Sequence, residues 1–505
     1  MEERQNKSGT SYGSIFKTTS LFGFVQVVSI VSKVCINKVV ALVLGSTGMG
    51  TIGLYNNAIS MIETGAGLGV PRSAVRDISE ANGQNDRYRF SRIINVTNRV
   101  VVFTSLLGVV VTIILSPFLS KWSFGDNEHI VPYLLLSIVV GMQMFAAGQL
   151  AILKGLRQLK SLAKASLLGS IIGMISAVPF YFFFGEGGIV PSLFVSAFSS
   201  LFFSNYFVRK ISYEKEHVSF KDLKKEATPM IKMGVALMFT SFLGTLAALA
   251  VSSFMRYKGG LSDVGFYNAG MMIINGYFGV IITSLTTDYY PRLASINQDN
   301  EKVQDELNKQ SLVSLTICCP IVIMFIMLMP FFIKILYSSE FYPIMDFMKI
   351  AMFGTLITIC SNQVDMILVA KFQTKIFAII SVVYRVIQVA MSIALYSTFG
   401  LVGMGITLAS LGVVHMTIMV FVVWTMYNIS FSKRFIRIGV IVLLLTTASV
   451  LVSEMSNLYC QYGFGITILI ISTLFSLNIL KNDMGLSIID FIRRMRKSRQ
   501  NYKIG

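Results

Sequence analysis

Three cationic side chains lie in long apolar stretches of this sequence, where charge is unusual. Lys33 and Lys38 belong to the first apolar stretch, and Arg385 lies near the middle of a later one. A charged side chain at the centre of a bilayer costs about 2.5 kcal/mol or more unless it faces water or an anion. We therefore predict that these cations line a polar, anion-binding cavity. Snorkelling to the membrane surface and burial in an ion pair are the alternatives.

A carboxylate, Glu63, lies in the second apolar stretch. Asn56 precedes it by seven residues, which places the two side chains within about 20° of each other on a helix. Glu63 either neutralises a neighbouring lysine or binds a coupling proton or sodium ion, and both roles remain open. Gln26 adds a polar side chain to the first stretch. We predict that Gln26 and Asn56 line the same cavity.

A second polar group belongs to two later stretches that a short loop joins as a hairpin. Asp365 and Asn362 share a helix face, and Gln388 follows Arg385 by one turn. Asp365 is a second candidate for ion coupling, or it pairs with Arg385 across the hairpin. Asn362 and Gln388 are predicted to line the cavity. His415, with no partner close to it in sequence, is interpreted as a packing residue.

The segment 65–71 contains three glycines and a proline at the end of the second stretch. Glycine and proline permit a bend, so the segment is either a gate hinge or a site of close helix packing. Arg72 and Arg76 follow it at a spacing of four, which puts both on one helix face. They either contact a phosphate group at the cytoplasmic mouth or anchor the chain at the membrane surface.

The composition excludes a water-soluble fold and leaves no signature of an enzyme. Hydrophobic residues make up 54% of the 505 residues and charged residues 13%, with a mean hydropathy of +0.68, whereas soluble proteins carry about 25% charged residues. No phosphate-binding loop, zinc signature or nucleophile elbow occurs. We expect no catalytic activity, no cofactor and no metal. The net charge of +18 is scattered over short loops, which indicates membrane topology and not nucleic-acid binding.

The apolar stretches predict an all-α membrane protein with about fourteen spans, since a helix needs roughly 20 apolar residues to cross a bilayer. We predict an N-terminal six-helix bundle over 1–210, a cytoplasmic linker over 211–228, a second six-helix bundle over 229–428, two further spans over 429–482 and a basic tail over 483–505. The spans are placed at 14–44, 52–75, 93–119, 131–153, 162–183, 189–208, 229–255, 264–290, 311–336, 347–370, 376–398, 401–426, 435–452 and 462–480.

Lysine and arginine are concentrated in alternate loops. Because short cation-rich loops stay in the cytoplasm, both termini are predicted to be cytoplasmic. The basic tail, which includes Arg493 and Lys503, is expected to contact anionic membrane lipids.

An internal repeat relates the two six-helix halves. Because each half holds an even number of spans, the halves run parallel, and transporters built in this way place their site between the repeats. Three pairs of segments recur at offsets of 212, 213 and 215 residues: Gly53-Leu54-Tyr55-Asn56 with Gly265-Phe266-Tyr267-Asn268, Pro117 and Lys121 with Pro330 and Lys334, and Phe184-Gly185 with Phe399-Gly400.

These segments carry a resemblance to a known family. The run from Lys38 to Gly45, the motif Gly53-Leu54-Tyr55, and the segment from Val264 to Leu293 resemble Wzx-type O-antigen and common-antigen flippases of the multidrug/oligosaccharidyl-lipid/polysaccharide (MOP) exporter superfamily. That superfamily also contains MATE drug exporters and the lipid II flippase. The resemblance implies two six-helix bundles in a V around a central cavity, working by alternating access.

The resemblance also implies a substrate, a polyprenyl (undecaprenyl) pyrophosphate carrying an oligosaccharide, and a location in the bacterial inner membrane. Lys33, Lys38, Arg385, Arg72 and Arg76 would supply the charge that holds the pyrophosphate. Proton or sodium coupling, a polysaccharide polymerase and chain-length proteins are the further partners it implies. A MATE-like cation-coupled drug antiporter is the alternative, and a membrane polysaccharide polymerase or ligase is a weaker one because every predicted external loop is short.

Overall fold

The computed structural model describes residues 31–83, 87–214, 219–280 and 289–484, which form helices joined by turns and loops and contain no strand. Gln26 and the basic tail therefore lie outside the described residues. Residues 31–43 are helical, and α-helices labelled here in chain order follow: α1 Gly45–Ala66, α2 Val70–Gly83, α3 Arg87–Phe124, α4 Ile130–Gly155, α5 Leu159–Phe184, α6 Ile189–Arg209, α7 Phe220–Met271, α8 Tyr289–Ser295, α9 Asn300–Met327, α10 Met329–Leu336, α11 Ile344–Ala370, α12 Thr374–Tyr427, α13 Lys433–Ser453 and α14 Leu458–Met484.

Nine helices in the described part of the chain are long and apolar enough to cross a membrane. Three of these nine contain a glycine break, at Gly185, Gly260 and Gly400, where φ is positive. Each of the three continuous helices contains or overlaps two predicted spans, so the nine helices account for twelve of the fourteen. The chain is thus a multi-pass, all-helical membrane protein, and the count of fourteen stays a prediction.

The second predicted span, 52–75, differs most from the structure. Its helix, α1, begins seven residues earlier, at Gly45, and ends at Ala66 before α2 starts at Val70. The early start follows from a tight turn: Gly45 has φ +67°, and the Ser46 N–H donates to Glu340 Oε1 at 2.8 Å. The end follows from Leu68 and Gly69, both with positive φ, which α-helical geometry excludes. Hydropathy alone registers neither backbone feature.

The repeat seen in the sequence recurs in the backbone. Gly185 has φ 55° and ψ −130°, and Gly400 has φ 59° and ψ −139°. Three residues after each, a Cβ on Gly188 or Gly403 would lie 2.1 or 2.0 Å from a carbonyl oxygen eight residues earlier. The two halves therefore use the same glycine-dependent turn between consecutive spans.

The described residues pack as two compact units, the first comprising residues up to Asn268 with 336–340 and the second comprising the rest. Inside the first unit, the two copies of the repeated motif touch each other. A Cβ on Gly265 would lie 1.9 Å from Ser46 O, one on Gly50 would lie 2.1 Å from Leu261 O, and one on Gly53 would meet the Asn268 side chain. Only glycine permits this approach of α1 to α7.

Inside the second unit, an ion pair joins α11 to the end of α13. Lys349, which is buried, lies with its Nζ 2.5 Å from Glu454 Oε1 and 3.3 Å from Asp346 Oδ1. The apolar core of this unit also includes Leu307, Val364 and Met419 from α9, α11 and α12. Two of these helices, α11 and α12, carry the polar cluster described below.

Candidate functional site

A cavity of about 190 Å³ lies in the first unit, around the break between α1 and α2. Its wall mixes one acidic, one basic and several hydroxyl side chains with apolar ones, so it can receive a polar group. The lining residues are Glu63, Thr64, Gly67, Gly69, Pro71, Arg72, Val101, Thr104, Met144, Ala147, Met238 and Ser241.

The glycine-rich segment shapes this cavity, because it both breaks the helix and permits close packing. Gly69 has φ +62°, and a Cβ there would lie 2.0 Å from the carbonyl oxygen of Gly234 on α7. A side chain would therefore push α7 away from the break. The structure shows close helix packing at a helix break, and a gate hinge at this segment stays a prediction.

Glu63 projects its carboxylate from the last turn of α1. Its Oε1 is fully buried and has no hydrogen-bond partner, and no lysine or arginine of the described residues lies within ion-pair distance of it. A buried acceptor without a partner is costly and therefore rare. The described structure thus lacks the neighbouring lysine of the ion-pair interpretation. It leaves a carboxylate that a proton or a cation would satisfy.

Arg72 lines the same cavity from α2, and its Nη1 donates to Ser241 Oγ at 3.1 Å. Arg76, one turn further on, is exposed and pairs instead with its neighbour Asp77 at 2.8 Å. Arg72 and Glu63 thus line one cavity, and Arg76 does not line it.

The remaining candidates of the first unit lie elsewhere. Lys33 is exposed on the helix 31–43. Lys38 is half-buried and donates to the backbone carbonyl of Tyr337. Asn56 is exposed, and it does not line the cavity although it lies on the same helix as Glu63.

The second unit contains a polar cluster between α11 and α12. His415 Nε2 lies 3.5 Å from Asp365 Oδ1, and His415 Nδ1 contacts the Ser361 hydroxyl. The Tyr384 ring packs on His415 with 4.8 Å between ring centroids. Asp365 is thus paired with an imidazole, not with Arg385 as one interpretation of the sequence held.

Arg385 borders this cluster through Tyr384. Its guanidinium carbon lies 5.3 Å from the Tyr384 ring centroid, a cation–π geometry, and its Nη1 donates to Gln388 Oε1 at 2.7 Å. Asn362 is half-buried on α11. Arg385 and Gln388 therefore act as one hydrogen-bonded pair, one turn apart on the same helix.

Sequence reasoning missed the partners of His415. Asp365 and Ser361 precede it by 50 and 54 residues, so no local spacing connects them. A polar residue in each of two consecutive apolar spans was the signal available, and it did not specify which side chains meet.

The described residues form long apolar helices, and two repeats share a glycine break. These features are those of a membrane protein with the MOP exporter fold. Solved structures bear this out. The lipid II flippase MurJ in an inward closed conformation superposes with a TM-score of 0.67 over 93% of this chain and all of that chain, at 12% identity. An inward-facing MATE family transporter superposes with a TM-score of 0.63 over 78% of this chain and 93% of that chain, at 16% identity.

The chain belongs to the polysaccharide biosynthesis protein family, whose model matches residues 91–346, about half of the sequence. The putative O-antigen transporter of Shigella flexneri is 25% identical over 72% of this chain and 87% of its own length. The lipid III flippase of Escherichia coli strain K12 is 20% identical over 70% of this chain and 85% of its own length. The resemblance to this superfamily is confirmed, and the two relatives are named as a transporter and a flippase.

Proposed function

We propose that this protein is a flippase that moves undecaprenyl-pyrophosphate-linked oligosaccharides from the cytoplasmic to the periplasmic leaflet by alternating access. The observation that carries this proposal is the family match together with two relatives, named as an O-antigen transporter and a lipid III flippase, that align over most of their length. Moving an anionic sugar–pyrophosphate head group through hydrocarbon unaided is prohibitive, because its charges would lose their water.

The cations of the apolar helices are proposed to hold the pyrophosphate. Arg72 has the strongest support, since it lines a cavity and a guanidinium binds phosphate oxygens in a bidentate fashion. Lys33, Lys38, Arg76 and Arg385 remain candidates for the same role. Gln26, Asn56, Asn362 and Gln388 are proposed to contact the sugar.

Further parts of the proposal concern energy and location. Glu63 is a proposed binding group for a coupling proton or sodium ion, because its buried oxygen has no partner. The proposed location is the bacterial inner membrane with both termini in the cytoplasm, and the proposed bundles span 1–210 and 229–428. The protein acts without catalysis, supplying substrate to a polysaccharide polymerase and its chain-length proteins.

The test is transbilayer movement of a fluorescent undecaprenyl-pyrophosphate oligosaccharide in proteoliposomes. We expect movement with the wild type and a loss of about tenfold or more with Arg72→Ala, because a hydrogen bond to a charged group contributes about 1.5–3 kcal/mol. Arg89→Ala is the matched control, since Arg89 forms an exposed surface pair with Glu80 and should change the rate little. No movement of any lipid-linked sugar, together with ion-driven export of organic cations, would replace the flippase by the drug antiporter.

A further inference from the structure

An imidazole and a carboxylate face each other inside the second unit. Asp365 and His415 lie on α11 and α12, and both helices are long and apolar enough to cross a membrane. Their side chains are 14% and 15% exposed, and the Oδ1–Nε2 distance is 3.5 Å. We propose that Asp365 and His415 together bind one proton and that this proton couples transport to the pH gradient, an inference that rests on the proposed flippase function.

Ser361 prepares His415 for this role. Its hydroxyl contacts Nδ1, which leaves Nε2 directed at the carboxylate. The hydrogen bond at one ring nitrogen of a histidine sets whether the other ring nitrogen carries a proton. With Nδ1 held by the hydroxyl, Nε2 is the ring nitrogen that can share a proton with Asp365 Oδ1.

The contact between Asp365 and His415 is longer than an ordinary charge-assisted hydrogen bond. At 3.5 Å, Asp365 Oδ1 has an ionic neighbour but no hydrogen-bond partner, and it is fully buried. Charge-assisted hydrogen bonds are typically 2.7–2.9 Å. The pair is consequently poised for a change of protonation that would draw the two groups together.

One bound proton changes the net charge of the Asp365–His415 pair. Without it, a carboxylate and a neutral imidazole carry a net charge of −1, which the nearby Arg385 offsets; with it the pair is neutral and the charge of Arg385 has no counterpart in the cluster. Because uncompensated charge is expensive there, proton uptake and release change the stability of any conformation that buries the pair. A tenfold difference in proton affinity between two conformations shifts their equilibrium tenfold.

Arg385 limits the pair to a single proton. Its guanidinium lies on the Tyr384 ring, which in turn packs on His415, so this cation opposes a second positive charge. The other helices that pack on α11 bring no ionised side chain to the pair within the described residues. Helix α9 presents the hydroxyl groups of Ser311 and Ser314 to Gln363 on α11. Arg292 on α8 forms an ion pair with Glu306 on α9. The cations of α13 all lie in residues 433–437.

The transport test separates coupling from movement itself. In proteoliposomes, equilibration of the fluorescent lipid without a gradient reports flippase function, and accumulation driven by a pH gradient reports coupling. We expect Asp365→Asn and His415→Gln to keep equilibration within about threefold of the wild type and to lose gradient-driven accumulation. The control is His129→Gln, which changes a second histidine–aspartate pair, with Asp126 at 2.9 Å in the loop between α3 and α4, and should accumulate normally.

Infrared difference spectroscopy between acidic and alkaline pH tests the pair even if a variant does not transport. We expect a pH-dependent carboxyl band in the wild type that Asp365→Asn removes, that His415→Gln alters and that His129→Gln leaves unchanged. Accumulation that survives both substitutions, accumulation driven by sodium in place of protons, or a carboxyl band insensitive to His415→Gln would overturn the proposal. A wild type that does not equilibrate the lipid would refute the flippase function, while the spectra would still decide whether the pair binds a proton.

Discussion

Replacing Glu63 by methionine should stabilise the protein and stop its transport. The Oε1 atom of Glu63 is buried and has no hydrogen-bond partner. Leaving a buried polar group unpaired costs about 1–3 kcal/mol, more if it is charged. Methionine has a similar length and a flexible apolar chain that suits an irregular cavity. We expect the free energy of unfolding to rise by about 1–3 kcal/mol, a factor of about 5 to 150 in the unfolding equilibrium.

The assay pairs reversible unfolding in mixed detergent micelles with lipid movement in proteoliposomes. A rise in stability together with at least about a tenfold loss of movement is the signature of a residue kept for function at the expense of stability. Glu80→Met is the control, because Glu80 forms a half-exposed surface pair with Arg89 and should change stability by less than about 1 kcal/mol. The reasoning is refuted if Glu63→Met lowers the free energy of unfolding, since the carboxylate would then be a satisfied structural group.

Two further predictions concern packing and an ion pair. Gly265→Ala should lower the free energy of unfolding by about 1–3 kcal/mol through overpacking, because its Cβ would lie 1.9 Å from a backbone oxygen. The control is Gly463→Ala on α14, where a Cβ meets open space. This change should raise the free energy of unfolding by up to about 1 kcal/mol through helix propensity. Equal effects in the two unfolding curves would contradict this account. Glu454→Gln should lower the free energy of unfolding by about 1–2 kcal/mol, because it weakens the contact with buried Lys349. The loss should be smaller than for a fully buried ion pair, since Glu454 is 59% exposed. An unfolding midpoint unchanged in low salt would show that the pair contributes nothing.

Hydropathy and repeats predicted much of this fold. Apolar length alone predicted twelve spans that fall on the nine described helices long and apolar enough to cross a membrane, because a bilayer imposes a nearly fixed number of residues on each span. The repeat anchors at Gly185 and Gly400 marked positions where the backbone does take the same turn. The start of α1 was missed because it depends on the left-handed conformation of Gly45 and on Glu340, about 300 residues away.

The candidate site was predictable in part. Glu63 was identified as a carboxylate in an apolar stretch, and Arg72 from its position after the glycine-rich segment. Their meeting in one cavity depended on the glycine break between them. Ser241, which receives the Arg72 hydrogen bond, lies 169 residues away. The contact of His415 with Asp365 could not be derived either, since it depends on how α11 and α12 are rotated about their axes.

The contact between the two copies of the repeated motif resembles an interface between two subunits. Gly50 and Gly53 on α1 pack against Leu261, Gly265 and Asn268 on α7, so a segment meets its own duplicate. In a homodimer with twofold symmetry, the same patch of each subunit meets its counterpart in this manner. The contact between the two copies therefore has the pattern of a symmetric dimer interface held within one chain. It is not fully symmetric, because the motif reads Gly-Leu-Tyr-Asn in one copy and Gly-Phe-Tyr-Asn in the other.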